Sequence, residues 1–117
     1  MSIKVFIVDD HALVRTGFKL ILGKEVHIEV VGEAESGEEA LPQIRRLKPD
    51  VVLCDLNLTG ISGLEVTERI VRGDYGSRVI AVSVLEEGPM PRRLLEAGAS
   101  GYVGKACDAN ELLRAVR

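Results

Sequence analysis

The chain has 117 residues, of which 46% are hydrophobic and 28% are charged, and its formal net charge is −3 at pH 7. This balance indicates one folded domain with a real core and excludes a disordered chain. The acidic charge argues against nucleic-acid binding by this segment, and no apolar run approaches the roughly 20 residues of a membrane span. No signal peptide is visible and two cysteines make no disulfide framework, so we expect a cytoplasmic protein.

Strand-like apolar segments alternate along the chain with segments of helical periodicity. The predicted strands cover residues 3–8, 27–34, 51–54, 78–82 and 101–103. A predicted helix follows each strand, and the fourth runs from Met90 to Ala97. This alternation is typical of an α/β protein with a parallel sheet, helices on both faces and right-handed crossovers.

Capping residues mark the predicted helix boundaries. Ser36 and Ser62 each stand three residues before a glutamate, which is a capping box at a helix start. Further boundary signals are Gly23 and Gly98 as helix ends and Asp108 as the start of the last helix. Pro42 falls inside the second helix, where it costs a hydrogen bond, so we expect a kink or a later start.

Carboxylates follow two of the predicted strands. Asp9 and Asp10 come after the first strand, and Asp55 comes after the third. Because the carboxyl ends of parallel strands share one edge of the sheet, the three carboxylates should lie together. They would repel one another without a cation between them, and Mg²⁺ prefers oxygen ligands. The pattern therefore predicts a Mg²⁺ site and phosphate chemistry.

Two of the three carboxylates have a plainer interpretation when taken alone. Asp10 can serve as the N-cap of the first helix, and Asp55 can be a turn residue. Asp9, at the end of a buried strand, has no such role.

A hydroxyl and an ammonium are predicted at the same edge. Ser83 follows the fourth strand and Lys105 the fifth. Alone, they would be interpreted as a loop hydroxyl and a solvated lysine. Beside a carboxylate cluster, they match what the peripheral oxygens of a phosphoryl group need.

The predicted chemistry is formation of an aspartyl-phosphate. Asp55 is the predicted nucleophile. Mg²⁺ would be held by Asp9, Asp10, Asp55 and the backbone carbonyl of Asn57. The new charge would draw Ser83 and its loop inward and shift a two-state equilibrium.

These segments resemble the receiver domain of bacterial response regulators. The resemblance rests on four motifs at strand ends, namely Val8–His11, Leu53–Leu56, Val82–Val84 and Gly101–Lys105. The opening of the chain, with Val14-Arg15-Thr16-Gly17, resembles the NarL/LuxR-type regulators. Residues 86–99 are similar to the GacA/UvrY group within them.

The resemblance implies a flavodoxin-like (βα)5 fold with five parallel strands in the order 2-1-3-4-5. Residues 1–117 would form the receiver domain, and a helix-turn-helix DNA-binding domain would follow. A sensor histidine kinase would phosphorylate Asp55 and so control transcription. Phosphorylation could make the protein form a homodimer. Only the second domain would contact DNA. The domain would not act as an enzyme on other molecules, and would catalyse only the slow loss of its own phosphoryl group.

Tyr102 matches the aromatic switch position of the family, which turns inward when Ser83 moves. The alternative is an aromatic ring that covers the sheet edge, and one ring could serve both roles.

Two positions depart from the family pattern. The loop after Asp55 has Leu58-Thr59-Gly60 where Met-Pro-Gly is usual, and losing Pro removes a fixed φ, so this loop is expected to be more mobile. Val84 is bulkier than the Ala or Gly common beside Ser83. We expect it to restrict access and to slow phosphate turnover.

Two other functions remain open on the sequence. Asp55–Thr59 resembles the Asp-x-Asp-x-Thr motif of haloacid-dehalogenase-type phosphatases, but Asn57 stands where those enzymes have their general acid. The other is a receiver that acts only as a protein-interaction module. The departures at Thr59 and Val84 favour it, and the complete set of site residues counts against it.

Overall fold

The computed structural model describes residues 2–73, 75–83, 91–105 and 109–117. Strands and helices alternate along the chain. The strands are β1 (Ile3–Val8), β2 (Ile28–Ala34), β3 (Val51–Asp55), β4 (Arg78–Ser83) and β5 (Gly101–Gly104). The helices are α1 (Ala12–Gly23), α2 (Gly37–Leu47), α3 (Gly63–Arg72), α4 (Arg92–Ala97) and α5 (Ala109–Val116).

The strands form one parallel sheet in the order β2-β1-β3-β4-β5, which confirms the predicted fold class. Every residue of the central strand β3 is buried, as its unbroken apolar sequence predicts for a strand covered on both faces. The chain order reverses between β1 and β3, so their carboxyl ends flank the crevice where open α/β sheets bind ligands.

Helices cover both faces of the sheet through separate apolar clusters. Phe18 of α1 and Leu112 of α5 belong to one cluster. Ile44 of α2 and Ile70 of α3 belong to another, on the opposite face. Successive residues of β1 alternate between these clusters, because side chains along a strand alternate with a period of two.

The helix starts agree with the predicted capping boxes. The hydroxyl oxygen of Ser36 accepts a hydrogen bond from the backbone of Glu39, and that of Ser62 accepts one from Glu65. Of the two outcomes expected from Pro42, the later start is wrong, since α2 begins at Gly37 and contains Pro42. The kink stays a prediction. The capped first turn and the buried face of α2 hold the helix on both sides of the proline.

Both predicted glycine helix ends are confirmed, with different backbone conformations. Gly98 ends α4 in the left-handed conformation, with φ +97°. Gly23 is the last helical residue of α1, and Lys24 follows it in the right-handed conformation. The predictions that concern Val84, residues 86–90 and Asp108 lie outside the described residues.

Each helix in the described part of the chain is too short or too polar to cross a membrane.

Candidate functional site

The predicted acidic residues meet at the carboxyl edge of β1 and β3. Asp9 directly follows β1, Asp55 is the last residue of β3, and their side chains are 1% and 0% exposed. One candidate ligand atom from each of Asp9, Asp10, His11 and Asp55 lies within 4.8 Å of the others. The geometry of neighbouring parallel strands thus produces the predicted carboxylate cluster.

Lys105 reaches this cluster from the end of β5. Its Nζ lies 3.0 Å from Oδ2 of Asp55 and 3.5 Å from Oδ2 of Asp9. Its backbone N–H donates to the carbonyl oxygen of Ser83 at 2.8 Å. Burial alone would lower the pKa of Lys105, but the hydrogen bond to Asp55 and the charges of both aspartates outweigh it and raise that pKa above its ordinary value. Lys105 is therefore a firmly charged ammonium within the cluster.

Both oxygens of Asp55 have hydrogen-bond donors. Oδ1 accepts from the backbone N–H of Asn57 at 3.0 Å, and Oδ2 accepts from Lys105. The loop after β3 therefore turns back onto the carboxylate that precedes it. The predicted use of the Asn57 carbonyl as a metal ligand stays a prediction.

Asp9 also organises the start of α1. Its Oδ1 accepts from the backbone N–H of His11 at 2.8 Å, and His11 is the N-cap residue. The alternative in which Asp10 caps this helix is therefore not what the structure has. Oδ2 of Asp10 lies 3.4 Å from the Thr59 hydroxyl, which donates to it.

The cluster retains two carboxylate oxygens without a hydrogen bond. Among the described residues, Asp9 Oδ2 and Asp10 Oδ1 are buried and accept from no donor. The ammonium of Lys105 lies 3.5 Å from Asp9 Oδ2 and attracts it electrostatically, but it makes no hydrogen bond to that oxygen. Buried acceptors of this kind cost free energy unless a cation or water satisfies them. The donor set, made mainly of carboxylate oxygens, fits Mg²⁺.

Ser83 and Tyr102 lie where the sequence predicts them. Ser83 ends β4, is 7% exposed and pairs in register with Gly104 of β5, next to Lys105. Tyr102 is half-buried and packs against the small apolar cluster that includes Ala81 of β4. These positions suit both the switch and the sheet-edge interpretation of the ring.

Arg15 borders the site and was not assigned from the sequence. Its Nη1 donates to the backbone carbonyl of Asp9 at 2.5 Å, and its Nε donates to Glu33 at 2.7 Å. Its side chain is 11% exposed. The sequence did contain a sign of this burial. Arg15 stands three residues before Phe18 and seven before Leu22, which places it on the buried face of α1.

The loop after Asp55 makes two hydrogen bonds that the sequence did not predict. Besides the Thr59 hydroxyl on Asp10, the backbone N–H of Ile61 donates to Oε2 of Glu38 at 3.2 Å. Glu38 lies in the first turn of α2. The threonine that replaces the usual proline thus brings a contact with the acidic cluster.

His11 is the other residue that the sequence did not assign. Its Nδ1 lies 2.9 Å from Asp10 Oδ1, 3.2 Å from Asp9 Oδ1 and 3.0 Å from Lys105 Nζ. A histidine directly after an acidic pair was the available signal.

Comparison with known proteins identifies the family of the chain. The family model of the response regulator receiver domain matches residues 5–117. The chain is 50% identical to the response regulator GacA of Pseudomonas syringae pv. syringae over 115 residues, which are 98% of this chain and 54% of that protein. It is 43% identical to the response regulator UvrY of Escherichia coli K12 over 98% of this chain and 53% of that protein. The chain thus spans about half the length of these relatives.

A solved structure gives the same result for the fold. The signal receiver domain of NarL from Mycobacterium tuberculosis superposes with a TM-score of 0.91 at 32% identity. The match covers 98% of this chain and 93% of that one.

Proposed function

The chain belongs to the response regulator receiver domain family, and from that membership we propose that it is a phosphorylation-operated signalling switch with Asp55 as its phosphoacceptor. The observation that carries the proposal is the setting of Asp55. It is a fully buried carboxylate with an ammonium at 3.0 Å, beside two buried carboxylate oxygens that lack hydrogen bonds among the described residues. A receiver without phosphorylation would have no need to keep so many like charges together.

The proposed reaction moves a phosphoryl group from a phosphohistidine to Asp55. An oxygen of the Asp55 carboxylate forms a bond to phosphorus, and the bond between phosphorus and the histidine nitrogen breaks. The electron pair of that bond returns to the departing imidazole. Lys105 and the Ser83 hydroxyl offer a cation and a hydrogen-bond donor to the phosphoryl oxygens.

Asp9, Asp10, Asp55 and the carbonyl of Asn57 would hold the Mg²⁺ ion. When bound, this ion neutralises negative charge on the phosphoryl oxygens. The residues do the remaining work. Arg15 and the N–H of His11 hold Asp9 in place, and the N–H of Asn57 orients the Asp55 carboxylate.

The switch is proposed to run through Ser83 and Tyr102. A phosphoryl group on Asp55 adds about −2 of charge. It would draw the Ser83 hydroxyl toward it and leave room for the Tyr102 ring to turn inward. The support is their placement on the adjacent strands β4 and β5 at the site edge.

The wider signalling role is part of the same proposal. A sensor histidine kinase would supply the phosphoryl group, and a helix-turn-helix domain following residue 117 would carry the output to DNA. The domain would act in the cytoplasm, without membrane contact, and would dimerise on phosphorylation. It would turn over no substrate beyond slow loss of its own phosphoryl group. Family membership and the relatives GacA and UvrY support these steps.

The test is the intact mass of the protein after incubation with acetyl phosphate, with and without Mg²⁺. We expect the wild-type chain to gain one phosphoryl group only when Mg²⁺ is present and Asp55→Asn to gain none. Asp50→Asn is the matched control, because it makes the same substitution just before the opposite end of β3, where the side chain is exposed. It should be phosphorylated like wild type.

The competing functions give different results in the same assay. An interaction-only module would gain no mass under any condition. A phosphatase of the haloacid-dehalogenase type would release phosphate repeatedly from a generic ester instead of retaining one group. Its general acid would have to be Asn57, which has no exchangeable acidic proton. Retention of one group on Asp55 would exclude both alternatives.

A further inference from the structure

His11 gives the acidic cluster a nitrogen atom that the Mg²⁺ proposal does not use. Its Nδ1 lies 2.9 Å from Asp10 Oδ1 and 3.2 Å from Asp9 Oδ1. Adjacent ligands of a cation with bonds of about 2.1 Å are themselves about 3 Å apart, so these separations suit shared coordination. A ligand nitrogen of the imidazole lies within 4.8 Å of the candidate carboxylate ligand atoms.

The contacts of His11 Nδ1 cannot all be satisfied by one protonation state. Lys105 Nζ lies 3.0 Å away, and an ammonium can only donate, so this contact requires a lone pair on Nδ1. The carboxylate of Asp9 can only accept, so its hydrogen-bond contact with His11 requires a proton on the same nitrogen. A divalent cation placed among the nitrogen and the oxygens would satisfy the lone pair and the carboxylates together.

Two buried oxygens are ready for such an ion. Asp9 Oδ2 and Asp10 Oδ1 accept no hydrogen bond from any described residue, and the Asp9 side chain is 1% exposed. Carboxylate oxygens alone favour Mg²⁺, whereas an imidazole nitrogen favours ions such as Zn²⁺ and Co²⁺. The composition of the ligand set therefore decides which class of ion binds best.

We propose that His11 makes this site a binding site for a borderline divalent transition ion, with Asp9 and Asp10 as oxygen ligands and Nδ1 of His11 as the nitrogen ligand. Such an ion competes with Mg²⁺ for the same carboxylates, so its occupancy controls how much of the protein is loaded with Mg²⁺. The inference rests on the cation site of the proposed function and is independent of phosphorylation at Asp55.

The test uses Co²⁺, whose visible absorption reports nitrogen ligation, and compares its dissociation constant with that of Mg²⁺ on the same samples. Even residues that only support a ligand change metal affinity by about 10–100-fold, so His11→Ala should weaken Co²⁺ binding at least about tenfold. The ratio of Co²⁺ to Mg²⁺ affinity should fall by a similar factor. His11→Gln, which keeps a polar side chain, should behave like His11→Ala.

His27→Ala is the matched control. His27 is the only other histidine of the chain, it is exposed, and it directly precedes β2, at the opposite edge of the sheet from the acidic cluster. This variant should bind both ions like wild type. With Zn²⁺ and ¹⁵N-labelled histidine, the Nδ1 resonance of His11 should shift strongly, and that of His27 should not.

The outcomes separate this inference from the proposed function. An unchanged Co²⁺ to Mg²⁺ ratio in His11→Ala, or a Zn²⁺-insensitive His11 resonance, would overturn the inference and leave Mg²⁺-dependent phosphorylation intact. Failure of the wild-type chain to bind either ion would overturn both. A thermal melt of each variant shows that it is folded, and the exposed position of His11 makes loss of fold an unexpected result.

Discussion

Arg15 ties helix α1 to the backbone of Asp9, because its Nη1 donates to the Asp9 carbonyl oxygen at 2.5 Å while its Nε pairs with Glu33 at 2.7 Å. The backbone N–H of Asp9 is also held, by the carbonyl oxygen of Ala34 in β2 at 3.1 Å. The acidic pair therefore starts from a backbone position that is anchored on both sides. This anchoring links the stability of α1 to the geometry of the site.

Replacing Arg15 with Gln should weaken Mg²⁺ binding several-fold and lower the free energy of unfolding by about 1–3 kcal/mol, because the Asp9 carbonyl loses its donor. Lys19→Gln is the control, since Lys19 shares the partner Glu33 but makes no contact with Asp9 in the described structure. Lys19→Gln should lower the free energy of unfolding by less than about 1 kcal/mol and leave Mg²⁺ affinity unchanged. Urea unfolding and Mg²⁺ titration measure both quantities. Equal effects of the two substitutions would contradict the positioning role.

Glu33→Gln should reduce stability at neutral pH and lose that effect in acid. The hydrogen bonds from Lys19 and Arg15 hold the pKa of Glu33 below its ordinary value of 4.5. A lowered folded-state pKa contributes stability above the unfolded-state value, and this contribution disappears as pH falls through the folded-state value.

Because Glu33 is partly exposed, the expected difference between wild type and Glu33→Gln near neutral pH is about 1 kcal/mol or less. Urea unfolding at a series of pH values should show the two proteins converging below the ordinary pKa. Glu29→Gln, at an exposed position of the same strand, serves as the control. If the stability difference between wild type and Glu33→Gln grew as the pH fell, the expected direction of the pH dependence would be wrong.

Gly63→Ala should destabilise the protein, because the first residue of α3 lies against the end of β3. A Cβ at Gly63 would lie 2.0 Å from the Asp55 carbonyl oxygen and 2.7 Å from the Cα of Leu56. These are backbone atoms that cannot rotate away, so we expect a loss of about 1–3 kcal/mol or more in urea unfolding.

Gly17→Ala is the matched control for that substitution. Gly17 lies within α1, and a Cβ there would meet nothing within 4 Å. Alanine in an open helix interior should stabilise the protein by about 0.5–1 kcal/mol. Opposite signs for the two substitutions are the expected result, and a neutral Gly63→Ala would contradict the close approach.

Asp10→Asn should raise the thermal stability of the metal-free protein. It removes one of the charges that repel one another around Asp9 and Asp55, and the amide oxygen can still accept from Thr59. We expect a gain of about 0.5–2 kcal/mol, the usual range for a single stabilising substitution. With excess Mg²⁺ the order should reverse, because ion binding stabilises wild type more. Thermal melts with and without Mg²⁺ test this, and a variant that is less stable without Mg²⁺ would contradict it.

Local patterns were sufficient for much of the fold. Alternating apolar strands and amphipathic helices predicted the parallel sheet, and the serine capping boxes predicted two helix starts. These features depend on residues close together in sequence, so a single chain reveals them. The later helix start expected from Pro42 was wrong, because the capped first turn and the buried face of α2 outweigh the local cost of the proline.

The sequence by itself determined which carboxylates, hydroxyl and ammonium could meet, because each follows a strand and parallel strands end at one edge. Only the tertiary structure decided their partners. It set Lys105 against Asp55, left Asp9 Oδ2 and Asp10 Oδ1 without donors among the described residues, and brought in Arg15 and His11. Side-chain direction and hydrogen-bond pairing depend on contacts between residues far apart in the chain, such as the 50 positions between Asp55 and Lys105, and no local pattern encodes those contacts.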